Sequence, residues 1–188
     1  EIDLERVAQI LAAPAEAEQV ANELRDLLTP ACIRIAIAGS IRRQRPDPAD
    51  IELLCVPKPS DSLFYADALD AALQRELSAD HLAYRPNVKG TITYGPLNKL
   101  LVHQASGIPV DIFTADIRNW GMSLMVRTGP KDWNVRFMAR LKQQGMAGHA
   151  YPKPGQGGIT ASNGEAERPD EETVFKVLGW PYIQPERR

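Results

Sequence analysis

The sequence predicts a mixed α/β (α+β) protein, a mixed sheet flanked by helices followed by a smaller, mostly helical lobe. Three observations carry that prediction. Short alternating apolar runs at 33–37, 50–56, 98–103 and 109–114 have the two-residue period of strands. Apolar residues at helical spacing surround and separate them. After Asp116 strand-like runs give way to helical ones and a Gly- and Pro-rich loop. Two lobes follow, 1–116 and 117–188, in a chain of 188 residues of which 44% are apolar, enough for a sizeable core.

In order along the chain, Leu4, Val7, Ile10 and Leu11 predict a helix over 3–12, and Val20, Leu24, Leu27 and Leu28 a second over 15–28, closed by Pro30. Ile33, Ile35 and Ile37 alternate in a strand that ends at the Gly39-Ser40 turn. A turn at 47–49 precedes the strand 50–56. A helix is expected over 62–77, with Leu63, Ala66, Leu69, Ala72 and Leu73 on its buried face. Strands at 91–94, 98–103 and 109–114 are punctuated by Gly95-Pro96 and Ser106-Gly107. Helices are expected at 118–126, 131–144 and 170–178, the last stopped at Gly179, with a loop from 152 to 164.

Charge is unevenly spread. The chain carries a net charge of −2, but residues 1–30 hold seven acids against two arginines, while 117–153 hold seven lysines and arginines against Asp132 alone. A local basic lobe is what contact with backbone phosphates requires, whatever the total. Cys32 and Cys55 lie in apolar strand-like runs and are expected as a buried, reduced pair. Three scattered histidines point to no zinc site. With no long apolar run and no signal peptide, a cytosolic protein without membrane contact is expected.

The chemistry concentrates in three places. Asp50 and Glu52, two apart on a strand, point to one face, while Ile51, Leu53 and Cys55 point to the other. Asp111, between Val110 and Ile112, can sit on a neighbouring strand. Crowded carboxylates repel, and bound cations relieve the repulsion. Oxygen-only ligands select Mg²⁺ or Mn²⁺. Ahead of them stands Gly39-Ser40-Ile41-Arg42-Arg43. There glycine admits a close phosphate, Ser40 offers a hydroxyl, and a planar guanidinium from Arg42 or Arg43 suits phosphate oxygens. Each piece alone is ordinary: a solvated strand face, a charged turn, an edge aspartate. Their combination in this order is what points to a site.

That combination resembles the nucleotidyltransferase superfamily, and within it the family X DNA polymerases in their minimal palm-plus-thumb form. The resemblance extends through Val110-Asp111-Ile112, Trp120-Gly121, Arg127-Thr128-Gly129 and Asn134, and through Glu171-Glu172, Val174-Phe175, Leu178-Gly179, Pro181-Tyr182-Ile183 and Pro185-Glu186-Arg187. It implies a nucleotidyltransferase-type palm over 1–116 and a thumb-like lobe over 117–188. Asp50, Glu52 and Asp111 would be catalytic and hold two Mg²⁺ (or Mn²⁺). Gly39, Ser40, Arg42 and Arg43 would contact a nucleoside triphosphate, with Thr128 and Gly129 beside its sugar and Asn134 near its base. Arg136 and Arg140, one helical turn apart, would meet DNA phosphates. The implied protein is a monomeric, repair-like DNA polymerase with a primer/template partner. Two positions depart from the pattern. Glu52 stands where most members carry Asp, and Val126 and Arg127 stand where many carry aromatic residues. Nothing before residue 1 corresponds to the lyase region of larger relatives, so a deoxyribose-phosphate lyase activity is not expected. Two other classes fit the same residues: an untemplated or non-DNA nucleotidyltransferase, and a catalytically silent nucleotide- or nucleic-acid-binding module.

Overall fold

The computed structural model describes residues 4–143, 147–153, 156–160, 170–177 and 179–188, in two compact units, Glu1–Thr114 and Ala115–Arg188.

The first unit is a five-stranded sheet covered by helices. Helix α1 spans Leu4–Leu28 without a break. The sequence predicts two helices parted at Pro14; the helix instead continues through it. A mid-helix proline removes one hydrogen bond and crowds one carbonyl, a local cost. The turns that follow seat Ala17, Val20, Ala21, Leu24 and Leu28 in buried positions. The side chains of Leu4, Val7, Ile10 and Leu11 lie outside the described residues. Strand β1 (Cys32–Ile37) leads through a short helix α2 (Gly39–Arg42) to β2 (Ile51–Pro57). Helix α3 (Ala68–Ser78), then β3 (Leu82–Tyr84), β4 (Asn98–His103) and β5 (Pro109–Thr114) complete the unit.

The sheet order is β1-β2-β5-β4-β3. Only the central pair β2/β5 is parallel; the other neighbours are antiparallel. Ile51, Leu53 and Cys55 alternate onto the face that packs with α1 and α3, where Leu69, Leu73, Leu101, Val110 and Ile112 join them in one core. Each of those five is fully buried, and together they hold the two central strands in fixed register.

Two expectations fail here. Helix α3 starts at Ala68, not 62, because Asp67 takes the N-cap: its carboxylate accepts the Asp70 N–H at 2.7 Å. Leu63, expected on a buried face, is 99% exposed, and Phe64 beside it is 91% exposed. No strand forms at 91–94; only isolated bridges, Pro86 to Ile92 and Tyr94 to Lys99, occur there. The edge strand is β3 instead, too short to stand out by periodicity.

The second unit opens with a 3₁₀ turn, Ile117–Asn119, and helices α4 (Trp120–Thr128) and α5 (Lys131–Gln143). Strands β6 (Ala147–Lys153) and β7 (Gln156–Thr160) pair antiparallel, and α6 (Glu171–Val177) precedes the tail. The segment expected as a loop from 152 to 164 thus contains a strand pairing; its residues 154–155 and 161–164 lie outside the described residues, as do 3, 144 and 178. The unit's core joins Met122, Met125, Leu141 and Val174 to Phe137 and Phe175, with aromatic rings packed against them. Trp133, Phe137, Phe175 and Trp180 pack ring on ring, with centroids 5.5–6.5 Å apart. Arg188 lies among them with its guanidinium 5.1 Å from the Phe175 ring and 2.6 Å from a buried Glu171 oxygen. No described helix is long and apolar enough to cross a membrane.

Candidate active site

Register decides which acids meet. In the parallel pair β2/β5, Glu52 stands directly opposite Asp111. Residues so paired on neighbouring strands point to the same face. Asp50, expected on the same strand face, lies in a bend just before β2, which begins at Ile51. The face is the one turned away from the α1/α3 core, since the intervening Ile51 is fully buried in that core.

Gly39 closes over the second carboxylate. It has φ +62°, and a Cβ built on it would lie 1.9 Å from Glu52 Oε2. Only glycine allows both that backbone and that proximity. The longer glutamate arm is therefore folded against the start of α2, and the Ala38 N–H donates to the Glu52 carbonyl at 2.8 Å, fastening the same junction. Next along, the Ser40 hydroxyl is buried without a hydrogen-bond partner among the described residues. A buried hydroxyl in that condition is unusual and calls for a ligand or water. Arg43 faces the same group: burial and neighbouring Arg45 lower its pKa from the usual guanidinium value, while Glu52 and Asp50 oppose that shift.

Asp111 is engaged by a residue that sequence reasoning missed. The Arg85 guanidinium donates to Asp111 Oδ1 through a close ion pair. Arg85 follows the three-residue strand β3 and reaches across β4. Its only sequence signal was a basic residue at a strand end, which is too common to act on.

The donor set fits hard divalent cations, since it offers carboxylate oxygens on adjacent strands and nothing soft. The carboxylates do not form a ready cage. Among the described residues no three acidic, histidine or cysteine side chains are gathered to hold an ion.

The remaining predicted residues, apart from Arg42, lie in the second unit. Thr128 is fully buried at the end of α4, and Gly129 follows with φ +65° and a cis bond to Pro130. Asn134 Nδ2 donates to the Val126 carbonyl at 2.7 Å, so its amide is turned inward. Arg136 is exposed on α5, and the Arg140 guanidinium lies 5.8 Å from the centre of the Trp180 ring. Arg42 belongs to the last turn of α2.

No family profile matches the sequence, and no curated protein sequence matches it. Solved structures do. Leishmania infantum polymerase beta in a ternary P/T complex superposes with a TM-score of 0.70 at 22% identity, over 94% of this chain and 76% of that one. The same polymerase in a ternary gap complex gives 0.69 at 21%, over 94% and 70%. The fold is that of polymerase beta. A mixed sheet with helices, predicted from periodicity alone, is thus a polymerase beta fold along nearly its whole length.

Proposed function

We propose that the chain is a metal-dependent nucleotidyltransferase that adds nucleotides from a nucleoside triphosphate to a DNA 3′-hydroxyl, under template direction and in a repair-like setting. The observation that carries the reading is the parallel register of Glu52 with Asp111, next to Gly39-Ser40, in a polymerase beta fold.

Asp50, Glu52 and Asp111 would hold two Mg²⁺ or Mn²⁺. When bound, such ions neutralise triphosphate charge and acidify the attacking hydroxyl. Asp111 also accepts hydrogen-bonding from that hydroxyl and helps remove its proton. The 3′-oxygen then forms a bond to the α-phosphorus as the bond to the bridging oxygen breaks, and pyrophosphate leaves. Ser40, whose buried hydroxyl lacks a partner, donates to a phosphate oxygen, and Arg43, with Arg42 beside it, balances the triphosphate charge. Thr128 and Gly129 at the sugar, Asn134 at the base, and Arg136 and Arg140 at DNA phosphates follow from the family X resemblance.

Primer extension with Mg²⁺ or Mn²⁺ tests this. Asp111→Ala should lower the rate about 10²–10⁴-fold. No incorporation with any metal or nucleotide, or full activity in that variant, overturns it. One observation favours a second reading, untemplated transfer. The Asn134 Nδ2 assigned to the base donates to the Val126 carbonyl, which leaves only one N–H and the amide oxygen for any base. Extension of single-stranded primers as readily as templated ones would select that reading.

A further inference from the structure

We infer that Arg85 is a positioning residue of this site, fixing the Asp111 carboxylate and weakening the grip of the nucleotide-free site on divalent ions. The inference rests on the nucleotidyltransferase reading and deepens it.

Three contacts hold Arg85 in place. Its backbone N–H donates to the Leu100 carbonyl at 3.1 Å. Its Nε donates to the Leu101 carbonyl at 3.2 Å. Its terminal Nη2 then meets Asp111 Oδ1. Leu100 is the β4 partner of Asp111, so one strand anchors both the arginine and the acid it grips. An arginine fork tied at Nε presents its terminal nitrogen in one direction, which a lysine cannot do. The carboxylate it holds is therefore fixed by the sheet, not by its own rotamer preference.

Charge adds a second consequence. The carboxylates are Asp50, in the bend just before β2, and Glu52 and Asp111, which share the face. Arg85 pairs with the third, and Arg43 senses the first two. These guanidiniums offset much of the carboxylates' charge, and the Arg85–Asp111 pair is only 30% and 17% exposed, so screening by water is incomplete. Such a cluster holds a dication weakly until a triphosphate adds its own negative charge. Arg85 thus couples cation capture to nucleotide arrival. Partners that donate to a metal ligand usually strengthen binding by orienting it. A cationic partner does the reverse to affinity while keeping the orientation, and that sign separates this role from a merely structural one.

The test titrates nucleotide-free protein with Mn²⁺, read by electron paramagnetic resonance, and measures primer-extension kinetics on the same preparations. Arg85→Gln should bind Mn²⁺ about tenfold more tightly, because a positive charge near the ion is gone. Its kcat should nevertheless fall about 10–100-fold, because Asp111 is no longer held. Arg85→Lys keeps the charge and loses the fork; its Mn²⁺ affinity should stay within about twofold of the parent while kcat falls as in the glutamine variant. Equal or weaker Mn²⁺ binding by Arg85→Gln overturns the inference, as does a parental kcat in Arg85→Lys. If Arg85→Gln fails to fold, Arg85→Lys decides through its split between affinity and rate. A parent protein that extends primers while Arg85→Gln leaves Mn²⁺ affinity unchanged refutes the role of Arg85 and leaves the transferase reading standing. A parent that extends nothing while Arg85→Gln tightens Mn²⁺ binding does the opposite.

Discussion

The two units use polar residues in opposite ways. In Glu1–Thr114 the core is aliphatic, and the acids of interest stand outside it, on strand positions fixed by backbone register. In Ala115–Arg188 an ionic pair is buried against the core. The Arg188 guanidinium, with a fully buried side chain, lies over Phe175, Trp133 and Tyr182, donates to the Ile183 carbonyl from two nitrogens at 2.8–2.9 Å and pairs with Glu171. The Tyr182 hydroxyl donates to the other Glu171 oxygen at 3.0 Å. The difference teaches where a substitution will be felt. A change at the acids of the first unit should silence chemistry and spare the fold. A change at the charged pair of the second should unfold it.

The largest effect expected follows from that contrast. Glu171→Ala strands a buried guanidinium, which costs about 3–5 kcal/mol when one partner of a buried pair is removed. All three tryptophans, Trp120, Trp133 and Trp180, belong to the second unit, so tryptophan emission during denaturant unfolding reads it directly. A midpoint unmoved by Glu171→Ala would break the contrast, since the pair would then be ornamental.

Gly39→Ala sharpens the other side. A methyl at that position would meet Glu52 Oε2 at 1.9 Å, on a backbone with φ +62°. The left-handed conformation alone costs a non-glycine residue about 1–2 kcal/mol. Glu52 must also swing away, and misplacing a reacting constellation by an ångström costs about 10²-fold in rate. Primer-extension rate should collapse while the tryptophan-detected transition barely moves. A collapse of that transition instead would show that the first unit's site and the second unit's fold are not separable.

The same contrast explains what the sequence disclosed. Two of the acids were legible because a strand's two-residue period is rigid: Ile51 and Leu53 turn Glu52, and Val110 and Ile112 turn Asp111, away from the core, while Asp50, expected on the same strand, lies in the bend before it. The pairing of Glu52 with Asp111 was not legible, since register between residues 59 apart in the chain depends on how the intervening chain packs. Arg85 was hidden for the same reason; its partner lies 26 residues away across another strand. The start of α3 was misread because Leu63 and Ala66 continue its apolar spacing, while one capping bond at Asp67 decides where the helix begins. In the tail, Glu171, Tyr182 and Arg187 were read for their likeness to a family segment. The structure shows Glu171 and Tyr182 serving the Arg188 core, a role that no spacing announces.

Tyr94→Phe gives a smaller, pH-dependent effect within the first unit. The Tyr94 hydroxyl donates to Asp70 Oδ1 at 2.7 Å, and burial, followed by that hydrogen bond, raises its pKa well above the ordinary phenol value. The folded-state value is the higher, so the contribution to stability is complete below the unfolded value of about 10 and declines as pH rises past it. The variant should lose about 1 kcal/mol at neutral pH. Its stability should also fall less steeply than the parent's above pH ~10, measured by denaturant midpoints across that range. A parallel fall in both proteins would remove Tyr94 as the source.

The smallest effect is expected at the first residues of the second unit. The Asp116 carboxylate accepts the Arg118 guanidinium N–H at 3.0 Å and the Arg118 backbone N–H at 2.8 Å, and caps the turn with Asn119. The guanidinium hydrogen bond, with the backbone bond and the charge behind it and burial opposing, holds the carboxyl below the usual aspartate range. The folded value is the lower one here, so the stabilisation is present above the unfolded value of about 3.9 and disappears as pH falls through the folded one. Both side chains are more than a third exposed, so water and salt screen the pair and its contribution is small. Asp116→Asn should therefore leave the tryptophan-detected midpoint nearly unchanged at pH 2 and lower it slightly at pH 7, a difference that shrinks in high salt. A loss as large as that of Glu171→Ala would mean that an exposed cap matters as much as a buried pair, and the distinction between solvated and enclosed charge in this unit would fail.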